Sequence, residues 1–146
     1  MNDNKDSAKK NFKNIITVVL VLIIAAVVLL VKNTSNVKIT NEGLKVSSMY
    51  SLDLKYEEIE EISLKDSLPE GFNKTNGIDL FGAAEIGNFK ARNMDKIKAF
   101  VQGKDAPFIY LTVKNKDYNY VIINTKNKQQ TEDMFKEISL KINNGN

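Results

Sequence analysis

Residues 107–142 read PFIYLTVKNKDYNYVIINTKNKQQTEDMFKEISLKI, and the fold is decided there. Phe108, Tyr110 and Thr112 fall on one side of an extended chain, and Ile109, Leu111 and Val113 on the other. Tyr118, Tyr120 and Ile122 alternate in the same way with Val121 and Ile123. The period of two predicts strands over 107–114 and 118–124. The period then changes. Thr131, Met134, Phe135, Ile138 and Ile142 recur at spacings of three and four, the apolar stripe of an amphipathic helix. Asn127 can cap its start, and Glu132 and Asp133 suit its early turns. Lys136 and Lys141 lie late, with Gly145 beyond the end.

Upstream, 88–92 and 97–102 read as two more strands. Residues 66–87 are the least regular part, with Pro69, Gly71, Asn76-Gly77, Gly82 and Gly87, and read as a long loop with a tight turn at Asn76-Gly77. Val37 and Ile39, the turn Asn41-Glu42-Gly43, then Leu44 and Val46 make a hairpin. Tyr50, Leu52, Leu54 and Tyr56 keep a period of two, a strand with one buried face. In 57–64, Ile59, Ile62 and Leu64 stand among Glu57, Glu58, Glu60 and Glu61; a turn leading into a strand fits better than a helix, though the run EEIEEI suits both. The sum is about eight short strands and a closing helix. No repeat of 20–50 residues runs through the chain.

The N-terminal side is of another kind. Residues 15–31, IITVVLVLIIAAVVLLV, hold 17 positions without a charge, and only Thr17 is polar. As a helix this run is about 26 Å long, close to the hydrocarbon thickness of a bilayer. The expected organisation is a polar tail at 1–14, a transmembrane helix at 15–32, a linker at 33–36 and one β-rich domain at 37–146. A cleaved signal peptide competes, but the apolar run is long for one and Lys32-Asn33-Thr34-Ser35-Asn36 offers no A-x-A site, which favours a signal anchor. A buried core helix is disfavoured because the run has no polar face. Four lysines precede the run, against Lys32, Lys38 and Lys45 after it. That bias places the N-terminus inside and the folded domain outside the cytoplasm, on the cell membrane.

Charge and composition exclude several functions. The net charge is +3. Residues 1–32 carry five lysines against two aspartates, so that excess belongs to the membrane segment. Residues 33–146 balance at 16 basic and 16 acidic side chains, and no nucleic-acid partner is expected. Cys, His and Trp are absent, which rules out a disulfide framework, a Cys/His zinc site, a Cys nucleophile and a Ser-His-Asp triad. No cofactor or metal is expected. Gly77-Ile78-Asp79-Leu80-Phe81-Gly82 has the spacing of a phosphate loop, but Ala83 and Ala84 stand where Lys and Ser/Thr would be needed. Glu57, Glu58, Glu60 and Glu61 lack the D-x-D-x-D-G framework of a hard-cation loop and read as a solvated edge. A Ser-Lys dyad remains open to Ser47, Ser48, Ser51, Ser63 and Ser67, none of them in a recognisable motif.

One cluster stands out. Lys90, Arg92, Lys96, Lys98 and Lys104 face only Asp95 within 90–104, whereas 53–70 hold seven acids against two lysines. The basic segment is a candidate contact for anionic headgroups or an acidic partner. Alternatively the two segments pair with each other or solvate separate faces.

Several stretches together resemble the bacterial pleckstrin-homology-like family. They are Ile39-Thr40-Asn41-Glu42-Gly43-Leu44, Tyr56-Glu57-Glu58-Ile59, the glycine-spaced Asn76-Gly77, Gly82 and Gly87-Asn88-Phe89, Pro107-Phe108-Ile109-Tyr110, Tyr120-Val121-Ile122 and the helix from Asn127. The resemblance covers 37–143 and implies a mainly β fold, a partly open barrel capped by a C-terminal helix. It carries no catalytic residues, and the basic loop of eukaryotic relatives has no counterpart in Asn41-Glu42-Gly43. The expected function is therefore recognition or scaffolding of a protein partner beside the membrane, through a strand edge or 66–87, and not catalysis. Anionic headgroup binding through 90–104 is the alternative, and a small membrane-tethered enzyme the third class.

Overall fold

The structure, a computed structural model, describes residues 12–26, 36–47, 50–79, 84–104 and 107–144. The chain divides into two compact units, residues 1–34 and 35–146.

In the first unit, residues 12–26 form an α-helix, α1. Its large apolar side chains from Phe12 to Ile24 are all 48–64% exposed, so no face is covered. The single hydroxyl is satisfied within the helix, Thr17 Oγ1 donating to the Lys13 carbonyl at 3.0 Å. Among the described residues no helix is long and apolar enough to cross a membrane. The rest of the expected span, 27–32, and most of the linker lie outside the described residues.

The second unit is mainly β. Among the described residues nine strands form two sheets, followed by one helix. The small sheet is β1 (Lys38–Ile39), β2 (Gly43–Val46) and β3 (Leu52–Lys55), all antiparallel. The large sheet holds β4 (Ile59–Lys65), β5 (Asn73–Asp79), β6 (Glu85–Ala91), β7 (Met94–Val101), β8 (Phe108–Val113) and β9 (Tyr120–Ile123) in the order β4-β8-β9-β7-β6-β5. All its pairs are antiparallel except β7 with β9, which run parallel from Ile97↔Tyr120 to Phe100↔Ile123. No pairing among the described strands joins β4 to β5 or one sheet to the other, so the closure of a barrel is not among the observed ladders.

The central strands are apolar on both sides because both faces of the large sheet are covered. Ile109, Leu111, Val113, Val121, Ile123 and Phe100 pack against Leu44, Val46, Leu52 and Leu54 of the small sheet and Ile138 of the closing helix. Phe89, Ile97, Ala99, Val101, Phe108, Tyr110 and Ile122 form a second core, against which Leu68 and Phe72 of the 66–72 segment pack. Phe72 stacks on Phe89 at 4.4 Å between ring centres, and the Tyr110 hydroxyl donates to the Ser67 carbonyl at 2.9 Å.

The closing helix, α2 (Lys128–Asn144), is capped as its sequence predicts: Asn127 Oδ1 accepts the Gln130 N–H at 3.2 Å. Thr131 and Ile138 are buried, and Met134, Phe135 and Ile142 pack against the first core. Where β7 and β9 part, the buried Asn124 fills the gap. Its Oδ1 accepts the N–H groups of Gln102 (2.7 Å) and Gly103 (3.2 Å), and its Nδ2 donates to the Gly103 carbonyl (2.6 Å).

Residues 66–87 correct the loop expectation. They contain β5 and the start of β6, and Asn76-Gly77 sits inside a strand, opposite Asn88 and Gly87. The glycines serve close approach. A Cβ on Gly77 would lie 2.4 Å from the Ile86 carbonyl oxygen, and one on Gly87 (φ +138°) 2.4 Å from that of Asn76. A tight turn and a glycine–glycine crossing use the same residues, and local composition does not separate them. The strand at 57–64 holds with its lead-in: Tyr56–Glu58 is a 3₁₀ turn, followed by β4.

Candidate functional site

A groove of 570 Å³ lies beside β6 and β7 and is lined by Asn88, Lys90, Asp95, Lys96, Lys98 and Tyr118, with Thr75, Asp117, Phe89 and Ile97. A break in register builds it. Ala91 faces Met94 and Phe89 faces Ile97, so Asp95 and Lys96 bulge out of β7. Lys96 takes φ +56°, a left-handed conformation that costs a non-glycine residue about 1–2 kcal/mol. The Asn119 N–H holds that bend by donating to the Lys96 carbonyl at 3.0 Å, and Asn119 Nδ2 reaches the Asp95 carbonyl at 3.4 Å.

Lys98 is fixed by two contacts. Its ammonium donates to the Ser51 carbonyl at 2.7 Å and lies 4.8 Å from the centre of the Tyr118 ring. Burial, with help from Asp117, Glu58 and Asp53, pushes the Tyr118 hydroxyl up to about 12, so the phenol stays protonated at neutral pH. An ammonium has three N–H groups, and the Ser51 contact uses one.

Of the five basic residues singled out by sequence, the structure brings Lys90, Lys96 and Lys98 to this groove. Arg92 is engaged elsewhere: its Nη1 meets Glu70 Oε2 at 2.8 Å, and its N–H donates to the Glu70 carbonyl. Lys104 is exposed beyond β7 and does not line the groove. The Arg92–Glu70 pair is the one ion pair between the basic segment and 53–70 among the described residues. Tyr118 is the groove residue that sequence reasoning did not single out: the alternation reads it as the first residue of a strand over 118–124. It lies ahead of β9 rather than in it, and only the fold sets its ring beside Lys98.

The other candidates disperse. Glu58 accepts the Lys55 N–H and the Lys116 ammonium, each at 2.9 Å. Burial raises its carboxyl, but these two donors outweigh burial and hold it below its ordinary value. Glu57 pairs with Lys55 across 3.6 Å of solvent-exposed surface, while Glu60 and Glu61 are exposed. Among the described residues no three acidic side chains converge as a metal site. Nor does a described serine hydroxyl bond a lysine; Lys98 takes the Ser51 carbonyl instead. Ser48 lies outside the described residues, as do 80–83 of the glycine-spaced run.

A smaller groove of 250 Å³ gathers Asn36, Gln102, Asn124, Thr125 and Gln130 at the other end of β9. It has no charged side chain in its lining, which mixes amides with Val37, Ile123 and Met134, and Gln102 Nε2 donates to Asn36 Oδ1 at 2.8 Å. Compared with known proteins, this chain matches no family model, no curated protein and no solved structure.

Proposed function

We propose that this chain is a single-pass membrane protein whose β-rich unit is a pleckstrin-homology-like module, facing out of the cytoplasm, that holds a protein partner beside the membrane. The observation that carries the reading is α1. A helix whose apolar side chains are exposed on every side is covered by lipid or by other protein, and its one hydroxyl is already satisfied internally. The sequence continues the apolar run to Val31, which makes lipid the better match in length.

Strand-then-helix order supports the pleckstrin-homology-like part, with α2 packed on the core. The parallel β7–β9 pair stands outside an up-and-down meander, so the likeness rests on element order and not on pairing. The outer edge of β5, a terminal strand of the large sheet, supports partner binding, because an extended segment can add there through its main chain. The test is alkaline carbonate extraction of membranes carrying the full chain, then photo-crosslinking from position 73, an exposed β5 residue outside the groove. Retention in the pellet and a discrete adduct are expected. Release into the wash refutes the anchor, and the lack of any adduct refutes the edge.

One observation favours a second reading, an anionic lipid headgroup: Lys90, Lys96 and Lys98 converge on a single groove.

A further inference from the structure

We propose that the groove beside β6 and β7 binds a phosphate group, gripped by Lys90, Lys96 and Lys98, and that the left-handed bulge at Lys96 exists to aim one of the three cations. The proposal narrows the headgroup reading to one place and one chemistry. Three features carry it. Among the described residues no ion pair neutralises Lys90, Lys96 or Lys98, whereas the neighbouring Arg92 is paired with Glu70. Lys98 is preset by the Ser51 carbonyl and the Tyr118 ring, and keeps donors for a ligand. The bulge holds a lysine where glycine would be unstrained, and strain of that kind is retained where the surroundings hold it in place and a function uses it.

Ammonium groups act as point charges and suit a tetrahedral oxyanion, with no planar guanidinium fork present to favour a carboxylate. Asp95 and Asp117 on the same walls disfavour a long polyanion and offer acceptors to hydroxyl or amine groups next to the phosphate. The ligand class is thus a compact phosphate ester, whether a lipid headgroup or a soluble compound.

The test uses the full chain in zwitterionic micelles, with amide NMR following residues 88–98 and 117–119. One arm adds inorganic phosphate; the other replaces part of the micelle with phosphatidylglycerol. Saturable shifts at Asn88, Lys96, Lys98 and Tyr118 are expected in at least one arm. Lys96→Gly and Lys90→Gln should each weaken them about tenfold, as lost charge-assisted bonds do. Lys96→Gly should also melt no lower than the parent, because the left-handed residue becomes unstrained. A response to phosphate alone assigns a soluble ligand, and a response to the lipid alone assigns a headgroup. Silence in both arms overturns the groove and the headgroup reading together. Equal lipid responses in parent and variants overturn the groove alone, and leave headgroup contact to Arg92 and Lys104.

Discussion

Strands β8 and β5 belong to one sheet and are held by opposite means. β8 lies inside the sheet, and five of its six residues are buried. Its ladder is secured by apolar area removed from water on both sides. β5 is a terminal strand with no fully buried residue among 73–77. It is fastened by contacts of shape and polarity: the Gly77–Gly87 crossing, the Lys74–Glu85 ion pair at 3.4 Å, Thr75 Oγ1 donating to the Asn88 carbonyl, and the Tyr50 hydroxyl donating to Asn76 Oδ1. The contrast teaches where this molecule can change. Its interior is held by burial, while its glycine-bearing margin and the neighbouring bulge are held by close backbone approach and polar contacts.

Substitutions at graded depth can break that contrast. The largest effect is expected from Leu111→Ala, which removes a fully buried side chain from β8 and should cost about 2–5 kcal/mol in denaturant unfolding. A loss below 1 kcal/mol would mean that the interior is not the main source of stability. Gly87→Ala should cost about 1–3 kcal/mol, because φ +138° and a backbone oxygen 2.4 Å from the new Cβ leave no relaxed geometry. Hydrogen exchange should speed up first in β5 and β6 and leave β8 protected.

How much was legible follows the same divide. FIYLTV and YVII announce strands because each residue type favours a pleated, buried surface, and Asn127 with the Thr131–Ile142 stripe announces the helix and its start. Asn76-Gly77 misled because glycine serves turns and close crossings alike. The parallel β7–β9 pair was beyond reach, since a period of two is the same for both strand directions. Charge density marked 90–104, but nothing local said that Arg92 would be taken by Glu70, that Lys96 would turn left-handed, or that Tyr118 would stand beside Lys98.

Two smaller effects sharpen the picture. Glu58→Gln, at the lead-in to β4, should cost about 1 kcal/mol by weakening the turn's cap and its Lys116 partner. Because the folded carboxyl lies below its ordinary value of 4.5, Glu58 contributes stability above that value and loses it as pH falls through the folded one. The variant's unfolding curve should therefore converge on the parent's in acid and separate towards neutral pH. At the margin, Lys74→Ala removes a part-exposed ion pair with Glu85 and should change stability by only about 0.5 kcal/mol. An effect as large as that of Leu111→Ala would erase the distinction between the two strands.

The Asn124 amide has one more consequence. Two parallel strands can slide past each other by two residues and still turn the same side chains inward. A side chain that must meet two N–H groups and one carbonyl at Gln102–Gly103 permits a single alignment. Asn124 is thus a registration pin for β7 and β9, and an apolar residue of its size would keep the volume while leaving the strands free to choose among offsets.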